Sequence, residues 1–489
     1  MDRPGFDNPL RVRFAPSSTG PLDVGAARTA LFNWLLARAT GGSFVVCVDD
    51  TGDSARAGEA ALLRDLRWLG LDWDEGPDTG ATAPYRRSER GALYAAEVQR
   101  LLDGGSAYER DGALWFRVPP GTTVVHDLIK GDVAFDHDAI ADFVVRKSRG
   151  TMTYDLIAAV DDATMRIDLV LRGDEHLDDT PRQMLIARAL GYEPPRYAHA
   201  ALVVGAGRHK LSSADGPVTV DALRRAGFLP EAVIEHLALL GWSAPDGRET
   251  FALPELVTLF SLDRVGHSPS VFDFDRLRAF NARALRALSR ERYRDLVIDA
   301  MQRHRLLEQP VPDAALRWVD TFLEAYGDEV YTLGEALEAV AALREEAVTI
   351  PALELERLRN RQVLFFLDAV AQYVDAQPEL RGLPLADDLP VIASEFGLAR
   401  KDAFEAVRMA LTGSHDGPPL ALLFPLLGHD RIMIRIGAVN SHILHGRGLE
   451  PIKYGPGGVP FETIQATRPA SVANGGPEFG ATERSDVVS

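Results

Sequence analysis

Residues 11–48 read RVRFAPSSTGPLDVGAARTALFNWLLARATGGSFVVCV. A short run, RVRF, has the character of a strand and ends at Pro16. A turn of Ser, Thr and Gly follows. From Val24 to Thr40 the leucines Leu31, Leu35 and Leu36 recur at helical spacing, and Gly41 and Gly42 stop the pattern. SFVVCV is then a second strand. Strand, turn, helix, stop and strand make the unit from which parallel α/β sheets are built. The turn has chemical interest too. A helix that starts directly after a strand presents free backbone N–H groups, and Gly25 at its start lets an anion come close. From physics alone the turn is either a phosphate site or an ordinary strand-to-helix connection.

Working outward, residues 57–69 and 89–102 read as amphipathic helices, each ending at a glycine. DFVVRK, TYDLIAAV and DLVLRG read as strands. TPRQMLIARALG reads as a helix opened by Thr-Pro, and ALVV as a further strand. The first half therefore predicts an α/β domain with a mostly parallel sheet. After about Asp221 strand patterns nearly vanish. LPEAVIEHLALLG, TLGEALEAVAALREE, LERLRNRQVLFFLDAVAQYV and RKDAFEAVRMALTG are helical, so the second half predicts an all-α region. From Gly455 the chain is rich in Gly, Pro, Ser and Thr without periodicity, which predicts a disordered tail.

Length and composition narrow the class. A chain of 489 residues predicts two to four domains. Hydrophobic content of 46% and charged content of 25% are ordinary for a globular protein. No apolar run reaches the length of a membrane span, and the start, MDRPGFDNPLRVRF, lacks the apolar core of a signal peptide. A cytoplasmic protein without membrane attachment is expected. The single cysteine, Cys47, excludes an internal disulfide and cysteine-pair zinc sites. Lying in a strand-like run, it is expected to act as a small buried apolar residue. The net charge of −18, from 53 basic and 71 acidic residues, argues against indiscriminate nucleic-acid binding. It leaves room for a shaped RNA site with local basic patches. YRRSER, LRRAGF and ERLRNR are such clusters, or else solvated helix faces.

Two further stretches carry candidate chemistry. In ALVVGAGRHKLSSADG a strand leads into a glycine-rich loop with Arg208, His209 and Lys210. It is not a Walker loop, because no Gly-Lys-Ser/Thr follows the glycines. It is either a clamp for a polyphosphate or a solvated loop. In VLRGDEHLDDTPRQ, Arg172 ends a strand, and strand ends are where open α/β sheets bind ligands. Asp174, Glu175 and His176 follow, but no second His stands at helical spacing, so no metal is read there.

Taken in order, these segments resemble the glutamyl-tRNA synthetase family of class I aminoacyl-tRNA synthetases. RFAPSSTGPLDVGAARTAL resembles the family opening with its HIGH-type signature. VDDTG, WLGLDWDEGP, TYDLIAAVDD, LRGDEHLDDTPRQ, HKLSS in the place of the KMSKS-type loop, LPEAVIEHLALLGWS and RMALTGSHDGPPLALLFPLLG follow in the family order, from about residue 11 to about 440. The resemblance implies a Rossmann-type catalytic domain over 8–250, with a shortened acceptor-stem insert at about 77–190. It further implies a stem-contact region over 251–310 and a helical anticodon-binding domain over 311–450, with the disordered tail at 451–489. The implied activity is ATP-dependent formation of glutamyl-adenylate and transfer of the glutamyl group to tRNA, with Mg2+, without zinc, by a monomer. No side-chain nucleophile is needed, so positioning and charge stabilisation would carry the catalysis.

By resemblance, Arg172 would grip the substrate's side-chain carboxylate as a two-nitrogen fork, and Arg13, Ala15, Ser17 and Tyr154 would line the same pocket. Asp49 stands for a family glutamate that meets the substrate's amino group, one methylene shorter. Gly25, Glu175, His176, His209, Lys210 and Leu211 would line the ATP site. The departures fall at the catalytic positions. Asp23 replaces the family histidine, and Ala26 a glycine. Lys210 is kept in the loop, but Ser213 and Ala214 replace a lysine and an arginine. Losing one donor to a developing charge costs about 10²–10³ in rate. The chain also passes from Tyr108 through ERDGA to LWFRVP, without the longer segment usual there. Two alternatives therefore stand beside a ligase: a diverged paralogue with lost or redirected aminoacylation, and a non-catalytic scaffold reusing the fold.

Overall fold

The computed structural model describes residues 8–16, 21–51, 55–80 and 84–445. Ser17 and the tail at 451–489 lie outside them. The chain divides into two compact units, Met1–Ala284 and Leu285–Ser489. That division falls inside the 251–310 segment expected as a separate stem-contact region.

In the first unit β1 (Arg11–Phe14) and β2 (Ser43–Val46) pair in parallel, with α1 (Val24–Thr40) between them. α1 is apolar on nearly all sides and is buried on nearly all sides. It ends where Gly41 adopts φ 67° and its N–H returns to the Ala37 and Arg38 carbonyls. α2 (Ala55–Trp68) and α3 (Gly91–Asp103) follow. The strands β3 (Ala107–Arg110), β4 (Ala113–Phe116), β5 (Thr122–Asp127) and β6 (Gly131–Asp136) come next, then the single turn α4 (His137–Ile140) and β7 (Phe143–Arg146). The chain continues through α5 (Tyr154–Thr164), β8 (Leu169–Gly173), α6 (Thr180–Ala189), β9 (Arg196–Ala200) and β10 (Val203–Val204). α7 (Val220–Arg225), α8 (Pro230–Ala238), α9 (Leu253–Leu259), β11 (Ser270–Val271) and α10 (Phe274–Arg286) complete this half.

The main sheet has the order β2-β1-β8-β9-β5-β6, parallel except for the β5–β6 hairpin. A mostly parallel sheet was the expectation, but several elements differ from it. TYDLIAAV, expected as a strand, is helix α5. A short apolar run does not by itself separate a strand from a buried helix, and its alanines favour the helix. β3, β4, β5, β6 and β9 are strands beyond the expectation; RYAHA and AYER hold few β-branched residues, whereas TTVVHD of β5 is rich in them. β3, β4 and β7 form a separate antiparallel sheet, while β5, β6 and β8 belong to the main sheet. β8 carries the continuous apolar run of a strand buried on both faces.

ERDGA is the turn of the β3–β4 hairpin. Asp111 and Gly112 have φ 53° and 74°, the left-handed pair of a two-residue turn, with Arg110 opposite Ala113.

The second unit is helical among its described residues. α11 (Arg290–Arg303), α12 (Asp313–Tyr326), α13 (Leu333–Arg344), α14 (Ala352–Leu358), α15 (Arg361–Asp375), α16 (Leu385–Glu395), α17 (Arg400–Thr412) and α18 (Leu420–His445) follow one another. LERLRNRQVLFFLDAVAQYV is divided between α14 and α15. α18 is interrupted at Gly428, whose φ and ψ of 75° and 167° leave the helical region. Arg435 is buried and donates to the carbonyls of Leu411, Ala342 and Glu345, which draws together the ends of α17 and α13.

Candidate active site

Arg172 and Gly173 end β8, at the carboxyl edge of the parallel sheet, where ligands bind in open α/β folds. Arg172 is only 4% exposed. Its Nε donates to His199 Nε2 at 3.1 Å. Its Nη2 donates to the Thr180 hydroxyl at 2.8 Å and the His176 carbonyl at 3.2 Å. Its Nη1 reaches the Tyr154 hydroxyl at 3.4 Å. The guanidinium also lies over the Tyr197 ring, 5.8 Å from its centroid. These hydrogen-bond partners carry no carboxylate. Asp155 and Asp179 sense the charge of Arg172 through space, but no described carboxylate pairs with it.

A structural ion pair is therefore not the role of Arg172. A buried cation without an anion is costly, and an anionic ligand would relieve it. The hydrogen bonds also determine how that ligand is met. Four of the five N–H donors of a guanidinium are engaged, and the remaining one is on Nη1. A carboxylate would be met at Nη1 beside the Tyr154 hydroxyl, rather than by the expected fork.

Arg13 stands on β1, the strand next to β8, and is 6% exposed. Its Nε and Nη2 donate to the two oxygens of Asp162 at 2.9 and 3.1 Å. Burial favours the neutral guanidine, but Asp162 outweighs it and holds Arg13 more firmly protonated than usual. Arg13 is thus compensated and Arg172 is not. Tyr154, the first residue of α5, lies in the field of Arg13 and stacks on His176 with ring centroids 5.3 Å apart. Arg13, Tyr154, Arg172 and His176 therefore form one cluster. His176 Nδ1 is 3.0 Å from Asp179. Glu175 is exposed and folds back over Gly173, where a Cβ would come within 2.0 Å of Oε2, so any larger residue there would displace the Glu175 carboxylate. Ala15 follows β1 and is exposed.

Asp49 lies past the end of β2. Its Oδ2 accepts from Arg87 Nη1 at 2.5 Å, and its Oδ1 accepts from the Thr51 amide and hydroxyl. Arg87 also reaches the Met152 carbonyl at 3.4 Å, two residues before Tyr154. Nearby Cys47 has its thiol pushed up to about 12 by burial, in keeping with an inert apolar role.

The helix start and the glycine-rich loop are close to each other. Asp23 is the N-cap of α1, and its Oδ1 accepts the Ala26 amide at 2.8 Å. A Cβ on Gly25 would lie 3.3 Å from that carboxylate and 4.0 Å from Val203 in β10. The loop leaves β10, and on its far side Thr219 bridges back to Asp23. Within the loop, Gly205 N–H donates to the His209 carbonyl and Val204 bridges Lys210, which makes a small hairpin. Arg208 adopts φ 58°, in the left-handed region. Asp215 accepts from the Ser212 amide at 3.0 Å and from its hydroxyl, and lies 3.0 Å from His209 Nε2. His209 and Lys210 are exposed and Leu211 is half-buried. Ser213 opens a single 3-10 turn.

Asp162, His199, Asp127 and Arg87 belong to this site and were not singled out from the sequence. For Asp127 in VVHDLI and Asp162 in AAVDDAT the signal is a charge inside an apolar run; His199 in RYAHA and Arg87 in YRRSER carry no such signal.

A sheet-edge cation beside a helix start and a cationic loop, followed by a helical unit, is the organisation of a class I aminoacyl-tRNA synthetase. Residues 9–114 and 111–279 match "tRNA synthetases class I (E and Q), catalytic domain", and residues 294–439 match "Anticodon binding domain". The chain belongs to this class I tRNA synthetase family. It is 35% identical over 487 residues to the glutamate--tRNA ligase of Desulfitobacterium hafniense, covering 90% of this chain and 100% of that protein. It is 37% identical over 473 residues to that of Carboxydothermus hydrogenoformans, covering 86% and 97%. In fold it is similar to the crystal structure of a glutamate tRNA ligase from Elizabethkingia meningosepticum in complex with its amino acid. There the TM-score is 0.75 at 22% identity, over 89% of this chain and 100% of that one. Neither the paralogue without aminoacylation nor the scaffold is favoured by any of these likenesses. Among the described residues no helix is long and apolar enough to cross a membrane.

Proposed function

We propose that this chain is a glutamate--tRNA ligase. The observation that carries the proposal is Arg172, a buried guanidinium at the sheet's carboxyl edge without a carboxylate partner. In this reading the side-chain carboxylate of glutamate completes it at Nη1, with the Tyr154 hydroxyl as second donor. Arg13, locked to Asp162, lends positive field. Asp49 receives the substrate's ammonium in competition with Arg87.

The α-carboxylate then attacks the α-phosphorus of ATP. An oxygen–phosphorus bond forms to the carboxylate, and the bond from the α-phosphorus to the bridging oxygen breaks. Pyrophosphate departs with that electron pair. In the second step a ribose hydroxyl of the terminal adenosine of tRNA takes the acyl group and AMP leaves. The reading assigns ATP to the start of α1 at Gly25, to Glu175 and His176, and to the loop at His209, Lys210 and Leu211. Lys210 would offset the charge developing on pyrophosphate. At the two altered catalytic positions, Asp23 acts as an N-cap and Ser213 supplies no cation. Mg2+ travels with the ATP phosphates and needs few protein ligands. Among the described residues no group of three or more His, Cys, Asp or Glu gathers as a protein-built cage for it. The domain assignments, with catalysis in the first half and anticodon binding in the second, belong to the same reading, as do a monomer and a cytoplasmic location.

The test is ATP–pyrophosphate exchange with and without tRNA, followed by charging with labelled glutamate. Glutamate-dependent exchange and stable glutamyl-tRNA are expected. Absence of exchange with every amino acid tried, with tRNA present as well as without it, would overturn the proposal.

A further inference from the structure

Behind Arg172 stands a second layer that no ligand would touch. Asp127 ends β5, and His199 lies in β9, the strand between β5 and β8. Both side chains are completely buried, and His199 Nδ1 lies 2.6 Å from Asp127 Oδ2. Oδ1 of Asp127 accepts the amides of Ile129 at 2.9 Å, Lys130 at 2.7 Å and His199 itself at 3.2 Å. Three backbone donors thus fix the carboxylate and aim its second oxygen at the imidazole. A carboxylate only accepts, so His199 carries its proton on Nδ1 and presents Nε2 as an acceptor. Arg172 Nε donates to that atom at 3.1 Å.

We propose that Asp127 and His199 are positioning residues for the substrate carboxylate: they hold Arg172 by its Nε so that Nη1 faces the pocket. The proposal rests on the reading of Arg172 as the carboxylate-binding residue. Only the neutral Nδ1–H imidazole does this, since a second ring N–H would oppose Arg172 Nε–H. Burial favours that neutral form and outweighs the Asp127 carboxylate, with the charge of Arg172 adding to the effect. Thr180, also 3.2 Å from Nε2, and the stacked Tyr197 ring complete the surroundings of the imidazole. A guanidinium on an unbraced stem has many rotamers, and a site left without its supporting layer is held too loosely to act.

The experiment compares the full-length chain with H199F, H199Q and D127N in glutamate-dependent exchange. Support for ligands by a second layer is worth about 10- to 100-fold in affinity. H199F is expected to raise the KM for glutamate by that range, with kcat and the KM for ATP within about threefold. H199Q, whose amide oxygen can accept Arg172 Nε–H, is expected to recover most of the loss. D127N is expected to fall between them. A glutamate KM unchanged in H199F overturns the proposal, as does an equal loss of kcat and of both KM values in all three variants. Nitrogen-15 spectra of the histidine rings decide the case independently of activity. Nδ1 protonation at His199 in the unmodified chain is expected, and an Nε2–H or doubly protonated ring at neutral pH overturns it. An unmodified chain without exchange and without glutamate binding would sink the ligase reading, whereas the ring spectra would still show whether the brace exists.

Discussion

Replacing Arg172 with methionine separates what the residue does for the fold from what it would do for a ligand. The chain loses a buried cation that has no carboxylate partner, and removing such a charge is a gain of several kcal/mol. It also loses the donors to His199 Nε2 and to the His176 carbonyl. The Thr180 hydroxyl is 3.1 Å from that carbonyl and 3.2 Å from Nε2, so it can satisfy one of them. About one buried acceptor is left bare, at about 1–3 kcal/mol. The two effects nearly cancel, and the melting temperature is expected to move by less than about 6 °C. Binding changes far more. A substrate carboxylate deprived of its buried partner loses about 3–5 kcal/mol, or about 10²- to 10⁴-fold in glutamate KM. The assays are glutamate-dependent exchange and thermal unfolding with added glutamate. Glutamate at about 100 times its dissociation constant stabilises the parent by about 2.7 kcal/mol and is expected to leave R172M unmoved. A variant that melts normally and keeps a glutamate KM within threefold of the parent would refute the reasoning.

Four other perturbations test further parts of the structure. Asp23→Asn keeps an N-cap acceptor for the Ala26 amide and removes a negative charge from the helix start; the KM for ATP is expected to fall about 3- to 10-fold at low salt and less at high salt, and no change at either would be contrary. Adding donors through Asp23→His with Ser213→Lys is expected to raise the exchange rate by about 10²-fold or more, with equal rates for variant and parent as the adverse result. Arg87→Gln frees Asp49 from its ion pair, so the glutamate KM is expected to drop several-fold; a rise would mean that Arg87 itself holds the substrate. His236, packed between Phe272 and Phe280 with neither ring nitrogen partnered among the described residues, is pushed by burial from 6.5 to about 4. Its contribution to stability is intact above pH 6.5 and is lost as pH falls towards 4, by about 1.4 kcal/mol per unit and about 3 kcal/mol in all. His236→Phe is expected to flatten that acid limb in denaturant titrations between pH 7 and 4, and an unchanged slope would be the wrong outcome for this account.

The helices were legible in the sequence wherever a capping or stopping residue coincided with the period. α1 is read from its leucines and from Gly41, and α6 from Thr-Pro. The main sheet was legible in type but not in membership. LVLRG announces a buried parallel strand through its apolar run, whereas RYAHA conceals one, because Tyr197 and His199 are polar residues stacked in the interior and Arg196 is exposed. The same residues explain the partial reading of the site. Arg172 ends a strand next to a conspicuous acidic run, so it stands out. Its supports come from β5, β9 and α6, up to 45 residues distant from it in the chain, and no local pattern joins them. How many nitrogens Arg172 can offer a ligand is equally hidden in the sequence, because it depends on which donors Thr180, His176 and His199 occupy.

The helix start at Asp23 and the loop at Ser213, proposed above as altered catalytic positions, share a physical feature. At the start of α1 Asp23 stands where the resemblance implies a histidine, and aspartate is among the better N-caps, so the helix is well closed by the bond to the Ala26 amide. In the loop, Asp215 gathers Ser212 and His209, which gives the segment a defined shape without the second lysine. Each aspartate stabilises local backbone, Asp23 at the helix start and Asp215 in the loop beside Ser213. The change at the helix start does not disturb packing, because Asp23 is exposed. The carboxylate pocket is different in kind. It is buried, its arginines are fixed by hydrogen bonds from several strands and helices, and a substitution there would leave an orphaned charge or acceptor in the interior. Altered phosphate contacts can therefore coexist with an intact amino-acid pocket: the first are set by surface electrostatics, which the fold tolerates in either sign, and the second by burial, which it does not.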